Sequence, residues 1–212
     1  MHRIAKNRSS LLAFLFIVFV SLCVAPSAGA GAGASPTGTS AARSGPAAQA
    51  ATTTVFLVRH AEKVDPADPE FAGASPDDPP LSASGVARAE ELARTLGRVG
   101  ITTIYSSPYE RTRATVRPLA ARLGLEITEH PAADVAELAE RIRAANRGGV
   151  VVIAGHSNTV PALIEALGAG SVPPIEDAWE YDNLYIVTVE AAGRARVSIL
   201  KYGATSDPLE SF

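Results

Sequence analysis

The chain has 212 residues, enough for one domain of ordinary size and too few for two well-packed ones. Its formal net charge is −3, and all 22 acidic residues lie beyond residue 53, whereas Arg3, Lys6, Arg8 and Arg43 precede it. The body of the chain is therefore more acidic than the total suggests, which argues against a nucleic-acid binder, a class that needs a basic face.

The first segment runs from Arg3, Lys6 and Arg8 into the apolar stretch LLAFLFIVFV and then SLCVAPSAGAGAGA. A basic start, an apolar centre and small residues of A-x-A type are the layout of a secretory signal over residues 1–30, with cleavage expected near Ala30. An uncleaved membrane anchor is the second reading, disfavoured because the apolar run is short for a span. Cys23 is the only cysteine and falls inside this segment. Its removal would leave no thiol, which excludes thiol nucleophiles, disulfides and cysteine metal sites and suits an oxidising compartment. Residues 31–53 are Ala, Gly, Ser, Thr and Pro without hydrophobic periodicity and read as a flexible tether. The folded domain is expected over 54–212.

Within it, strand and helix patterns alternate. Val55–Val58 reads as a buried strand. LSASGVARAEELARTLG reads as a helix with Ser82 as N-cap, an apolar stripe of Val86, Ala89, Leu92, Ala93 and Leu96, and Gly97 as the stop. ITTIY predicts a strand, PYERTRATVRPLAARLG a helix ending at Gly124, and LEIT a short strand. DVAELAERIRAANRG predicts a helix opening on Asp134, GVVVIAG a buried parallel-type strand, and TVPALIEALG a helix that tolerates Pro161 in its first turn. NLYIVTVE and ARVSILKY, joined by AAG, predict a final antiparallel pair. This alternation gives an α/β fold: a three-layer α/β/α sandwich with a mostly parallel, mixed sheet.

Three of the strands end alike. Val58 is followed by Arg59-His60, Tyr105 by Ser106-Ser107-Pro108, and Ala154 by Gly155-His156-Ser157-Asn158. If these strands are parallel, their carboxyl ends share the sheet edge at which open α/β sheets bind ligands. The stretch SPYE, Ser107 to Glu110, reads as a capping box that would place a helix N-terminus at that edge. Arg111 follows within reach of an anion held there, while Arg113, Arg117 and Lys63 read as solvated charges. Arg59, Arg111 and two histidines describe a pocket for a tetrahedral dianion, because a guanidinium fork matches phosphate oxygens two at a time. A neutral imidazole can attack phosphorus and divide one displacement into two. No metal-ligand spacing, Walker loop or G-x-S-x-G is visible, so neither a metal nor another cofactor is implied.

At these residues the chain resembles the histidine phosphatase superfamily, in its phosphoglycerate mutase-like branch. The resemblance runs through LVRHAEK, PLSASGVARAEELA, YSSPYERTRAT and VVIAGHSNTV, in that order, from Val55 to about Val189. It implies that His60 is the nucleophile that becomes phosphorylated, that Arg59 and Arg111 clamp phosphate, and that His156 completes the pocket, with Asn158 beside it. Glu62, next to the nucleophile, could orient it or touch substrate. The family's acidic proton donor has no single match. Asp134 is the first candidate and Glu129 the second, although Asp134 is equally explained as a helix N-cap. The resulting expectation is an exported phosphatase, secreted or periplasmic. It would act on a small phosphorylated molecule or a phosphoprotein, without nucleic acid and without a stable membrane domain after cleavage. A mutase on phosphorylated acids and a non-catalytic phosphate-binding module are the alternatives. The acidic, Pro-rich stretch VDPADPEFAGASPDDPP is expected to be a solvated loop, with overhang of the pocket as the second reading.

Overall fold

Alternation along β1 (Thr53–Arg59) assigns its residues to two different cores. Val55 and Leu57 pack on one side of the sheet, Phe56 and Val58 on the other. The same division runs along β4 (Val150–Gly155), with Val151 and Ile153 on the first side and Val152 and Ala154 on the second. Both faces of the sheet are thus buried, which is why these strands read as continuous apolar runs. This computed structural model describes residues 52–71, 73 and 75–206. The expected signal segment, and the tether up to residue 51, lie outside the described residues. No helix among the described residues is long and apolar enough to cross a membrane.

The remaining elements are α1 (Ala83–Leu96), β2 (Thr103–Ser106), α2 (Glu110–Leu123), β3 (Ile127–Glu129), α3 (Val135–Ala145), α4 (Thr159–Ala166), β5 (Asn183–Val189) and β6 (Ala195–Lys201). The sheet order is β3-β2-β4-β1-β5-β6. Strands β3, β2, β4 and β1 run parallel, and β5 and β6 close the other side antiparallel. In the central register, Leu57 lies between Ile153 and Tyr185. Helices α3 and α4 cover one face through Leu138, Ile142, Leu163 and Ile164. Helices α1 and α2 cover the other through Leu92, Leu96, Val116 and Leu119. The α/β/α sandwich with a mixed sheet is the fold expected from the pattern.

Local departures have physical reasons. Ser82 does cap α1, accepting the Gly85 N–H at 3.2 Å. Val86, expected on the buried stripe, is 52% exposed, and the buried residue there is Gly85. Gly85 presses on the Glu62 carbonyl, where any Cβ would collide, so the helix rotates its glycine inward and Val86 outward. Helix α3 begins at Val135 and ends at Ala145, before the Asn146–Gly149 turn that leads into β4.

The expected capping box does not form. Helix α2 begins at Glu110 with Tyr109 at the N-cap position and no side-chain cap. The Glu110 N–H is instead satisfied by Asp78 Oδ2 at 2.7 Å, arriving from the acidic loop. The Glu110 carboxylate turns outward to Arg113 and Arg117. A carboxylate at a helix start is favoured by the dipole as well as by the hydrogen bond, so the distant Asp78 displaces the local serine.

Candidate active site

Because β1, β4 and β2 are parallel neighbours, the residues that follow them open onto one edge of the sheet. Arg59, His60, Arg111 and His156 line a cavity there of about 770 Å³, together with Lys63, Tyr109, Asn158 and Asp177. Gly155 allows the last strand to end so abruptly. A Cβ on it would stand 2.9 Å from Thr159 Oγ1 and 3.1 Å from Val160 Cγ2, against the first turn of α4. The same Thr159 hydroxyl accepts the His156 backbone N–H at 2.9 Å.

His60 is 4% exposed, and its backbone extends the ladder by donating to the Gly155 carbonyl at 2.8 Å. The next N–H, of Ala61, donates to Thr115 Oγ1 at 2.9 Å, so α2 braces the strand end. His60 Nδ1 lies 2.8 Å from the Ala61 carbonyl. A carbonyl only accepts, so Nδ1 carries the proton and Nε2 keeps its lone pair. Burial, above all, and the cations Arg59 and Arg111 pull the imidazole down to about 3. At neutral pH His60 is therefore an uncharged base with one tautomer selected, the state a nitrogen nucleophile requires.

His156 stands edge-on to it, with ring centroids 5.5 Å apart. Its Nε2 is 2.9 Å from Ser107 Oγ, which is 2.6 Å from Thr112 Oγ1. The Thr112 hydroxyl donates to the Tyr109 carbonyl at 2.7 Å, so Ser107 donates to Thr112 and its oxygen accepts from His156. This relay assigns the His156 proton to Nε2. Burial first, then Arg111 and Arg59, pull His156 down to about 4.

The two arginines are held from behind. Arg59, 2% exposed, donates through Nη1 to the Glu176 and Glu180 carbonyls. Through Nη2 it donates to the Asp177 carbonyl at 2.7 Å and to Asp177 Oδ1 at 2.8 Å. Its guanidinium lies 4.1 Å from the centre of the Tyr181 ring. Arg111 donates to the Asp77 carbonyl and to Asp78 Oδ1, both at 3.1 Å, and lies 4.5 Å from the centre of the Tyr109 ring. In both, the Nε N–H is buried and has no partner among the described residues. With Arg59 and Arg111 both in its lining, the cavity offers two guanidinium groups to an anion.

The other candidates read from the sequence stand elsewhere. Glu62 is engaged by Arg88, at 2.7 to 3.0 Å through Nε and Nη2, and is not part of the cavity lining. Asp134 occupies the N-cap position of α3 without a side-chain cap bond; it is exposed, and Ala133 and Val135 line the cavity where it does not. Glu129 pairs with Arg113 at 2.7 Å. Asn158 and Lys63 do line the cavity, both with exposed side chains. Ser107, Thr112, Asp78, Asp177 and Tyr181 had no site reading in the sequence. Among the described residues, no group of three or more His, Asp or Glu side chains is placed to hold a metal ion.

The family model of the histidine phosphatase superfamily, branch 1, matches residues 55–134. "Probable phosphoglycerate mutase GpmB" of Yersinia enterocolitica is 31% identical over 125 residues, which are 59% of this chain and 46% of that protein. The protein of the same name from Shigella dysenteriae is 41% identical over 73 residues, 34% of this chain and 33% of its own length. The chain thus spans between a third and a half of the length of these curated relatives. Among solved structures, the protein histidine phosphatase SixA, complexed with tungstate, superposes with a TM-score of 0.58 at 22% identity, over 70% of this chain and 96% of that one. The mycobacterial glucosyl-3-phosphoglycerate phosphatase gives 0.55 at 17%, over 73% and 100%. The α-ribazole phosphatase of Shigella flexneri gives 0.55 at 16%, over 72% and 99%. At these identities the superpositions establish the shared fold.

Proposed function

We propose, from the match of residues 55–134 to the histidine phosphatase superfamily model, that this chain hydrolyses phosphomonoesters through a phosphohistidine formed on His60. One observation carries the reading: a buried, uncharged His60 with its proton fixed on Nδ1, in a cavity also lined by Arg59 and Arg111. Nε2 attacks phosphorus while the ester P–O bond breaks and the departing oxygen takes up a proton. Water then attacks the phosphorus of the phosphohistidine, releasing inorganic phosphate and the free imidazole. Arg59 and Arg111 stabilise the charge on the equatorial oxygens, where electrostatic stabilisation does most of the work in phosphoryl transfer. Asp177 cannot supply the proton. The Ser157 hydroxyl and the Arg59 guanidinium hold its carboxyl below the usual carboxylate range, so it is an acceptor.

The substrate in this reading is a phosphorylated small molecule or a phosphoprotein, and the N-terminal basic-apolar segment supports export to a secreted or periplasmic location. The curated relatives' name favours a second reading, phosphoryl transfer between positions of a phosphorylated acid. The test is a brief exposure to p-nitrophenyl phosphate followed by acid-free peptide mapping. An adduct on His60 is expected, and His60→Ala should lower kcat by at least about a thousandfold. Robust turnover by the alanine variant would overturn the mechanism, and transfer to phosphoglycerate in preference to water would favour the mutase.

A further inference from the structure

We propose that the apolar wall of the cavity is a subsite for an uncharged, apolar leaving group, so that the preferred substrates are phosphate esters of hydrophobic alcohols rather than of carboxylated ones. This rests on the phosphatase reading above.

The cavity divides by chemistry. One part of its lining, the floor, holds the histidines and arginines. Another part, an apolar wall, is built by the segments that follow three strands: Pro108 and Tyr109 after β2, Pro131, Ala132 and Val135 after β3, and Ala162 on α4 after β4, beside the polar Ser157, Asn158 and Thr159. None of these side chains carries a charge. Tyr109 stands where floor and wall meet, its ring edge-on to His156 at 5.2 Å and itself 38% exposed. Arg59 is tied to Asp177, and Arg111 to Asp78. The remaining cation of the lining is Lys63, which comes from the segment after β1 and whose charge acts on Asp177. A carboxylate lying along this apolar wall would meet no cationic side chain among those six residues. It would give up hydration for an apolar surface.

A second observation points the same way. Behind the wall lies a small recess of about 30 Å³ that shares Pro131, Ala132, Val135 and Thr159 with the large cavity. Leu138, Ile153 and Leu163 form its far side. The polar side chains at its margin are satisfied internally: Ser106 donates to the Ser107 carbonyl at 2.8 Å, and His130 Nε2 lies 2.8 Å from the Asp134 carbonyl. A recess so lined is dry, and the volume suits about one methylene group. An alkyl or aryl group leaving from phosphorus would lie along the wall with its end directed at this recess.

Alkylphosphonates test this without any dependence on a proton donor, because they bind and are not cleaved. Calorimetric titration with the ethyl, propyl, butyl and hexyl compounds should show Kd falling about fourfold per methylene over the first members, the gain for burying one CH₂. 2-Carboxyethylphosphonate should bind at least about tenfold more weakly than butylphosphonate, for want of a partner for its carboxylate. Ala162 is exposed on α4, so Ala162→Gln leaves the fold undisturbed. It should cut the gain per methylene below about twofold while keeping inorganic phosphate affinity within about threefold. A flat alkyl series with phosphate binding intact would overturn the subsite alone. Failure of phosphate and of every phosphonate to bind, with no adduct on His60, would overturn the subsite and the phosphatase reading together.

Discussion

In the proposed reaction His60 acts by resisting a proton, and that resistance has a cost for folding. An unfolded histidine takes up a proton below about pH 6.5, whereas folded His60 stays neutral until about 3. Between these values the unfolded chain binds more protons, so stability falls as pH drops from about 6.5 towards 3 and does not change on this account above 6.5. The slope is about 1.4 kcal/mol per pH unit for a fully buried histidine. Urea unfolding in phosphate-free buffer at about pH 7 and about pH 5 should show wild type losing about 1–2 kcal/mol more than His60→Gln, in which no proton is excluded. Equal losses would mean that the folded imidazole is not held neutral. His60 and His156 were legible as a pair because two strand ends presented them; their tautomers were not, because Ala61, Ser107 and Thr112 set those through contacts that no spacing announces.

Among the elements, strand ends were readable and side-chain partners across loops were not. Strand–helix alternation implied a mostly parallel sheet, and with β1, β2 and β4 parallel, Arg59, His60 and His156 converge. The SPYE stretch misled because a capping box is a local pattern. Here Ser107 is drawn to His156 and the helix start to Asp78, each a tertiary partner. Asp177 and Tyr181 reach Arg59 from a segment with no periodicity, more than a hundred positions away in sequence. Glu62 shows the reverse case, a residue close to His60 in sequence whose carboxylate is engaged by Arg88. With Arg88 it ties the segment after β1 to α1, and Arg88 also donates to the Tyr202 and Ala204 carbonyls beyond β6. Arg88 is 4% exposed, so Glu62→Ala strands a buried charge and should destabilise the fold by about 3 kcal/mol. The KM of the remaining folded enzyme should change little. A large kinetic defect at unchanged stability would return Glu62 to the active site.

At the scale of the whole molecule, the basic floor of the cavity sits inside an acidic chain. The formal charge is −3, every acidic residue lies beyond residue 53, Asp177 lines the cavity and Asp78 pairs with Arg111. A dianionic substrate therefore meets two fields of opposite sign at different ranges. The distant field is repulsive and acts through solvent, where a Debye length of about 30 Å at low salt shrinks to about 8 Å near physiological salt. The near field comes from Arg59 and Arg111, which are largely buried and act within hydrogen-bonding distance, so salt screens it far less. Raising salt should then remove more repulsion than attraction. For p-nitrophenyl phosphate, with inorganic phosphate absent, kcat/KM should rise, by less than about threefold, between about 20 mM and about 200 mM sodium chloride. The rise belongs to the encounter, so kcat should stay nearly constant over the same range. A fall of tenfold or more would mean that the arginines steer substrate from a distance, as in a basic cleft open to solvent. That outcome is incompatible with guanidinium groups tied to Asp177 and Asp78 and shielded by Tyr181 and Tyr109.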